Sequence, residues 1–307
     1  MTRSPIAPVL VLALALIGAA GYLGPQVKSR EVVTASFWAR KLRAPAEFDL
    51  VVVGDSRAYR GLNPDLTPGI RGLNFAFSNG ALTPDYLRAA AAKLRPKGRR
   101  ILVLAITPHS LTPRAAISNG YVDLLRRDNW EIDWAIRSER GMKWTAPWTA
   151  GALGEFLTSF DRNTPNEAAR NPETYHPNGW VSSPLPADPD PDLTIYERDF
   201  RGNQVTQENL QDLSKTITEL DRTGVTVLAF FMPSCAGMEA LEDRLSGLGE
   251  RRSLAEKMFQ AGAVWRTYDG PPTQTYDGSH LNQQEAEQVS RWLAGQVSSL
   301  LPKRWKS

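Results

Sequence analysis

Leu50-Val51-Val52-Val53-Gly54-Asp55-Ser56-Arg57 is the stretch on which the reading of this 307-residue chain turns. Three consecutive valines leave no polar alternation, so a strand here must be covered on both faces, as in a parallel sheet flanked by helices. Gly54 permits a sharp turn at the end of the run. Ser56 then stands at the carboxyl edge of the sheet, where open α/β folds bind their ligands. A hydroxyl in that position suits a nucleophile, and the competing reading is a strand that ends in an ordinary Gly-Asp-Ser turn.

The segment Tyr276-Asp277-Gly278-Ser279-His280-Leu281-Asn282, directly before a helical pattern, supplies what Ser56 lacks. An unassisted hydroxyl is a weak nucleophile and needs a base, and an imidazole needs a carboxylate to fix its tautomer and stabilise its charged form. His280 is one of three histidines and follows an acid by three residues. A turn can therefore set Asp277 against one ring nitrogen while the other faces a serine. Ser56, His280 and Asp277 supply one role each, and the two motifs together are far more specific than either alone.

On Gly54-Asp55-Ser56 and Asp277-Gly278-Ser279-His280, together with Asn74 to Gly80 read as a second block, the chain resembles the SGNH or GDSL superfamily of serine esterases and acyltransferases. It looks most similar to the membrane-anchored branch that holds the D-alanyl-transfer protein of teichoic acid synthesis and the periplasmic alginate O-acetyltransferases. The resemblance covers roughly residues 48–110 and 205–300. It implies a three-layer flavodoxin-like fold, and it implies that the backbone N–H groups of Ser56 and Gly80 receive an oxyanion. The family's third block usually carries an asparagine as a further donor. Here the equivalent strand end reads Ala105-Ile106-Thr107-Pro108-His109, without one.

Composition bounds the alternatives. With 42% hydrophobic and 22% charged residues the chain is globular, and a net charge of +3 gives no reason to invoke nucleic acid. The one basic cluster, Arg95, Lys97, Arg99 and Arg100, solvates a helix end before a strand. A single cysteine, Cys235, excludes an internal disulfide and a Cys-based metal cluster, and three scattered histidines give no metal-ligand spacing. No G-x-G-x-x-G or P-loop pattern is present, so no cofactor is implied.

The segment from Ile6 to Leu23 carries no charged residue and reads as a membrane anchor spanning 1–23, with a cleaved secretory signal ending near Ala19-Ala20-Gly21 as the alternative. With a short basic end inside, the rest of the chain faces the extracytoplasmic side. Residues 24–47 then form a stalk, helical through Glu31 to Leu42, and 48–302 the catalytic-type domain.

Within that domain, apolar runs at 49–53, 73–77, 101–106, 225–231 and 263–268 predict five strands of a mainly parallel sheet with helices on both faces. Thr83-Pro84-Asp85 caps a helix that runs to Leu94. Leu210, Leu213, Ile217 and Leu220 mark another over 207–223, ending at Gly224. Further helices are expected over 239–248, 253–261 and 283–300, the last with Ala286, Val289, Leu293 and Val297 on one buried face.

Between about 110 and 205 this pattern breaks down. The stretch holds five of the nine tryptophans, and so long a connection suggests an inserted cap over the strand ends. Tyr175-His176-Pro177-Asn178-Gly179-Trp180 combines polar, aromatic and turn-forming residues and is expected to reach the site, His176 and Trp180 touching substrate. The alternative is that the tryptophans pack the insertion against the domain. His109, at a strand end, is either a substrate contact or a structural histidine.

These readings converge on serine-dependent acyl transfer. Water as acceptor makes an esterase and a sugar hydroxyl an O-acyltransferase. The anchor, the insertion and the resemblance favour an exported or cell-envelope glycan carrying acyl, chiefly acetyl, groups as substrate. A reading of another class is a non-catalytic accessory or binding protein that partners a membrane-bound O-acyltransferase.

Overall fold

The computed structural model describes residues 30–136, 173–248 and 251–300. The apolar segment at 6–23 and Trp144 and Trp148 of the expected cap lie outside them. Among the described residues no helix is long and apolar enough to cross a membrane. The chain divides into two compact units, residues 1–40 with 127–171 and residues 41–126 with 172–307. In the first unit the described residues are largely helical. They comprise most of α1 (Arg30–Leu42) and a helical stretch over 129–136.

The second unit carries a five-stranded, wholly parallel sheet: β1 (Leu50–Val53), β2 (Gly72–Asn74), β3 (Ile101–Ile106), β6 (Thr226–Phe231) and β7 (Val264–Trp265), in the order β2-β1-β3-β6-β7. Counted among sheet strands alone this is 2-1-3-4-5, the flavodoxin-like order, whose direction reverses between β1 and β3. Two short strands, β4 (Thr174–Tyr175) and β5 (Val181–Ser182), form a separate antiparallel hairpin. Val51 to Val53 are fully buried, as is nearly all of β3, which matches their unbroken apolar sequence. Each buried valine contributes on the order of 1.5–3 kcal/mol.

One helical layer consists of α3 (Pro84–Ala91), α7 (Gln207–Arg222) and α9 (Arg251–Gln260), which pack on β1, β6 and β7 and on one another. The other joins α2 (Ser56–Gly61) to α10 (Gln283–Leu300). Thr83 accepts from the Tyr86 N–H at the start of α3, and Thr206 from Asn209 at the start of α7. The expected apolar stripes of α7 and α10 are the buried ones.

Two strands are shorter than their apolar runs. β2 stops at Asn74 because the Asn74 amide turns the chain, its Oδ1 accepting from Ala76 N and its Nδ2 donating to the Ala58 and Leu62 carbonyls. β7 stops at Trp265, although Arg266 N still donates to Ala229 O. The remaining helices, α4 (Pro113–Ile117), α5 (Gly120–Leu125), α6 (Thr194–Phe200) and α8 (Ala236–Leu245), complete the unit. Residues 110–126 and 172–205 of the expected insertion therefore belong to the sheet-bearing unit. That unit begins at Lys41 rather than at 48. The Lys41 ammonium is buried, donates to Ala76 O at 2.7 Å, and lies over the Tyr59 and Phe77 rings.

Candidate functional site

Ser56 is the first residue of α2, which starts directly after β1. Gly54 is obligatory before it: a Cβ there would lie 2.7 Å from the Ala105 carbonyl and 2.6 Å from the Ala58 Cβ. Asp55 caps the helix, its Oδ1 accepting from Arg57 N at 3.0 Å and its Oδ2 from the Thr107 hydroxyl. The chain thus leaves the sheet in one defined direction, with the Ser56 side chain at the β1/β3 switch point.

The loop at 276–280 meets it from the other end of the sequence. Tyr276 N donates to His280 O, Thr275 and Leu281 form an antiparallel bridge, and Gly278 takes a left-handed φ of 86° that closes the loop. Within the loop Asp277 Oδ1 accepts from the Ser279 and His280 N–H groups at 3.1 and 2.8 Å. Its Oδ2 lies 2.7 Å from His280 Nδ1, and His280 Nε2 lies 2.8 Å from Ser56 Oγ. The three residues form one continuous relay.

Burial pushes the His280 imidazole below its ordinary pKa. The Asp277 hydrogen bond works against this, and the nearby charges of Arg60 and Arg57 add to the lowering. Burial opposes ionisation of Asp277, but the hydrogen bond to the His280 ring, its charge and the two backbone N–H groups outweigh it and hold the carboxyl below its usual range. The lowered imidazole pKa favours the neutral form and Asp277 orients the ring, as a general base requires.

A second set of side chains surrounds the relay, and none of its members was singled out from sequence. Tyr276 stacks on the His280 ring at a centroid separation of 5.9 Å. Its hydroxyl accepts from Arg60 Nη1, while Arg60 Nε donates to Tyr59 OH and Nη2 pairs with Glu173 at 2.5 Å. Arg57 reaches Ser279 and Glu242. The Tyr276–His280 and Tyr59–Arg60 contacts are between near neighbours, whereas those of Arg60 with Tyr276 and Glu173 and of Arg57 with Ser279 and Glu242 join residues far apart, which no local pattern marks.

Three expectations change. The Gly80 N–H donates to Phe77 O at 3.1 Å and closes the turn 77–80, so it is not directed at an oxyanion. Gly80 instead allows close approach, because a Cβ there would lie 2.4 Å from Gly54 O. Inside that turn Asn79, with φ of 49°, is the one non-glycine residue of positive φ among the described residues. Its N–H has no acceptor among them, and neither does that of Ser56, the first residue of its helix.

Trp180 presents no open face. It is 3% exposed, His176 stacks on it at 4.3 Å, and its indole N–H donates to Arg60 O. His176 is itself held by Ser182 Oγ at 3.0 Å from Nε2. The 175–180 segment does adjoin the site, but as a packed hairpin that braces α2. At the end of β3, Thr107 gives its hydroxyl to Asp55 and supplies no third donor. His109 stands two residues further on, its ring edge-on to Phe200 at 6.5 Å and its pKa lowered by burial.

An aromatic cleft walled by Phe231, Trp265 and Tyr268 opens beyond β6 and β7, and none of the three relay residues lines it. It touches the relay loop from behind, through Ser234 Oγ donating to Gly278 O. Among the described residues no group of His, Cys, Asp or Glu forms a metal-binding cluster. Comparison of the chain with protein-family models, curated proteins and solved structures returns no match.

Proposed function

We propose that this chain is a serine-dependent ester hydrolase or O-acyltransferase of the SGNH type. The observation that carries the reading is the hydrogen-bonded series Ser56 Oγ, His280 Nε2, His280 Nδ1, Asp277 Oδ2 at the carboxyl edge of a parallel sheet. His280 takes the Ser56 proton as Oγ attacks the ester carbonyl carbon, and Asp277 balances the imidazolium. The tetrahedral oxyanion is received by the backbone N–H groups of Ser56 and Asn79. Collapse breaks the bond to the leaving alkoxide, which takes the proton from His280. Water or a sugar hydroxyl then gives its proton to His280 as it attacks the acyl-serine carbonyl, and the Ser56 Oγ–acyl bond breaks with Oγ taking that proton back, releasing acid or acylated sugar.

The uncharged segment at 6–23 supports a membrane-anchored protein whose domain faces the periplasm, acting on acylated exported or envelope glycan. The second reading, an accessory partner of a membrane-bound O-acyltransferase, draws on one observation: Thr107, in the third-block position, is committed to Asp55 and offers no donor to an oxyanion. A fluorophosphonate probe tests both. Stoichiometric labelling of Ser56, with turnover of p-nitrophenyl acetate, is the expected result. A folded protein that neither labels nor turns over the ester belongs to the accessory class.

A further inference from the structure

Ser56 opens α2 and His280 ends the 276–280 loop, and two arginines of α2 tie these segments together, Arg60 through Tyr276 and Arg57 through Ser279. Arg57 follows Ser56 in α2, and its guanidinium is buried, the residue being 4% exposed. Nε donates to Ser279 Oγ at 3.0 Å, and Ser279 is the residue between Gly278 and His280. Nη2 donates to Glu242 Oε1 of α8 at 2.7 Å, in a pair whose side chains are 5% and 2% exposed. Nη1 has no acceptor among the described residues.

An ion pair this deep is a poor device for stability. Desolvating two charges can cost more than their attraction returns, and well-packed apolar replacements of such pairs are often neutral or stabilising. What apolar side chains cannot reproduce is a planar fork with one arm on the nucleophile's neighbour loop and the other on an anchored carboxylate. The relay loop is also held by the Ser234 hydroxyl on Gly278 O at a longer 3.3 Å, by Arg60 on the Tyr276 hydroxyl and by the Thr275–Leu281 bridge. Arg57 has no hydrogen bond to the Ser56, His280 or Asp277 side chains; it holds the loop through Ser279, and its charge adds a smaller effect that disfavours the imidazolium.

We infer that Arg57, fixed by Glu242, is a positioning residue that sets the separation of Ser56 and His280 by holding Ser279. The inference rests on the acyl-transfer reading above and adds a further determinant of its rate. A misplacement of about 1 Å in such a site costs roughly a hundredfold.

The test replaces the pair together, as Arg57→Met with Glu242→Leu, so that neither partner is left as a buried unpaired charge. Turnover of p-nitrophenyl acetate is expressed per serine titrated by a fluorophosphonate. A merely structural defect lowers the titratable fraction and leaves turnover per site unchanged. Per-site kcat should fall about a hundredfold with KM within about twofold. A crystal structure of the double variant should show Ser56 Oγ and His280 Nε2 beyond hydrogen-bond reach. Ser279→Ala, which keeps the ion pair and removes only the acceptor, should lose about tenfold, and it decides the matter if the double variant fails to fold. Wild-type per-site kcat in either folded protein overturns the inference and leaves the reaction standing. A wild-type chain inert toward both ester and probe overturns the reaction itself, and the inference with it.

Discussion

The Ser56 hydroxyl lies 2.8 Å from His280 Nε2 although 224 positions separate the two residues in the chain. Contact at that distance requires the start of α2 and the 276–280 loop both to be fixed in direction. Asp55 does this for the first as a helix cap, and Asp277 for the second as acceptor of two backbone N–H groups. Each aspartate neighbours or partners a reacting group and also shapes its own loop. Substitutions here are therefore informative only when folding is measured beside activity.

Ser56→Ala and His280→Ala should each lower p-nitrophenyl acetate hydrolysis by on the order of a thousandfold or more. Ser56 is not fully buried and its side-chain bond is to His280, so the melting temperature of Ser56→Ala should stay near that of the wild type. Steady-state kinetics beside a thermal melt checks both, and a folded Ser56→Ala protein with wild-type turnover would exclude the mechanism.

Asp277→Asn should be at least as damaging. The amide can keep its oxygen toward the Ser279 and His280 N–H groups, and its NH2 then faces His280 Nδ1 and forces that nitrogen to accept. The ring proton moves to Nε2 and points at Ser56, which abolishes the base. A loss of roughly ten-thousandfold in kcat, with KM little changed, is expected from the wrong tautomer.

The pH profile should report a low-lying base. His280 titrates below the ordinary imidazole value of 6.5, chiefly through burial and with a contribution from the Arg60 charge. The rate rises with the neutral fraction, so the acid limb of kcat/KM should have its midpoint below pH 6.5. Arg60→Gln removes a positive charge that disfavours the imidazolium, and the acid limb should move to higher pH. An unmoved or lowered limb would count against that electrostatic coupling.

Stability should follow the same direction. All three histidines, His109, His176 and His280, have folded pKa values lowered from 6.5, burial being the largest cause in each. Between 6.5 and those lower values the unfolded chain binds more protons than the folded one, so stability rises with pH across that window. The melting temperature should climb as pH is raised toward 6.5 and flatten above it, as differential scanning calorimetry would record.

Trp180→Ala should act on the fold before it acts on any ligand. Removing a buried indole costs about 3–5 kcal/mol and here also releases the Arg60 carbonyl in α2. The expected outcome is a clear fall in the denaturation midpoint, with small-ester turnover reduced as well. Unchanged stability would mean that the indole is not packed as described.

The parallel sheet could be read from the chain because its signals are local. Val51 to Val53, Ile101 to Ile106 and Val227 to Phe230 are continuous apolar runs, and Thr83-Pro84 and Thr206 cap helices through contacts three residues away. The relay residues could be read because the chemistry of a weak nucleophile demands a base, and that base a carboxylate within a turn. Donor direction and ring coverage carry no such local signature. Whether the N–H of Gly80 or of Asn79 faces outward depends on a turn seated against Gly54 O, and the burial of Trp180 depends on His176 and on α2. The same holds for Arg57, whose partners Ser279 and Glu242 lie 222 and 185 positions away and become neighbours only when the sheet is assembled. A hydrogen bond is directional and a packed face has one occupant, so these features are decided by long-range contacts rather than by sequence spacing.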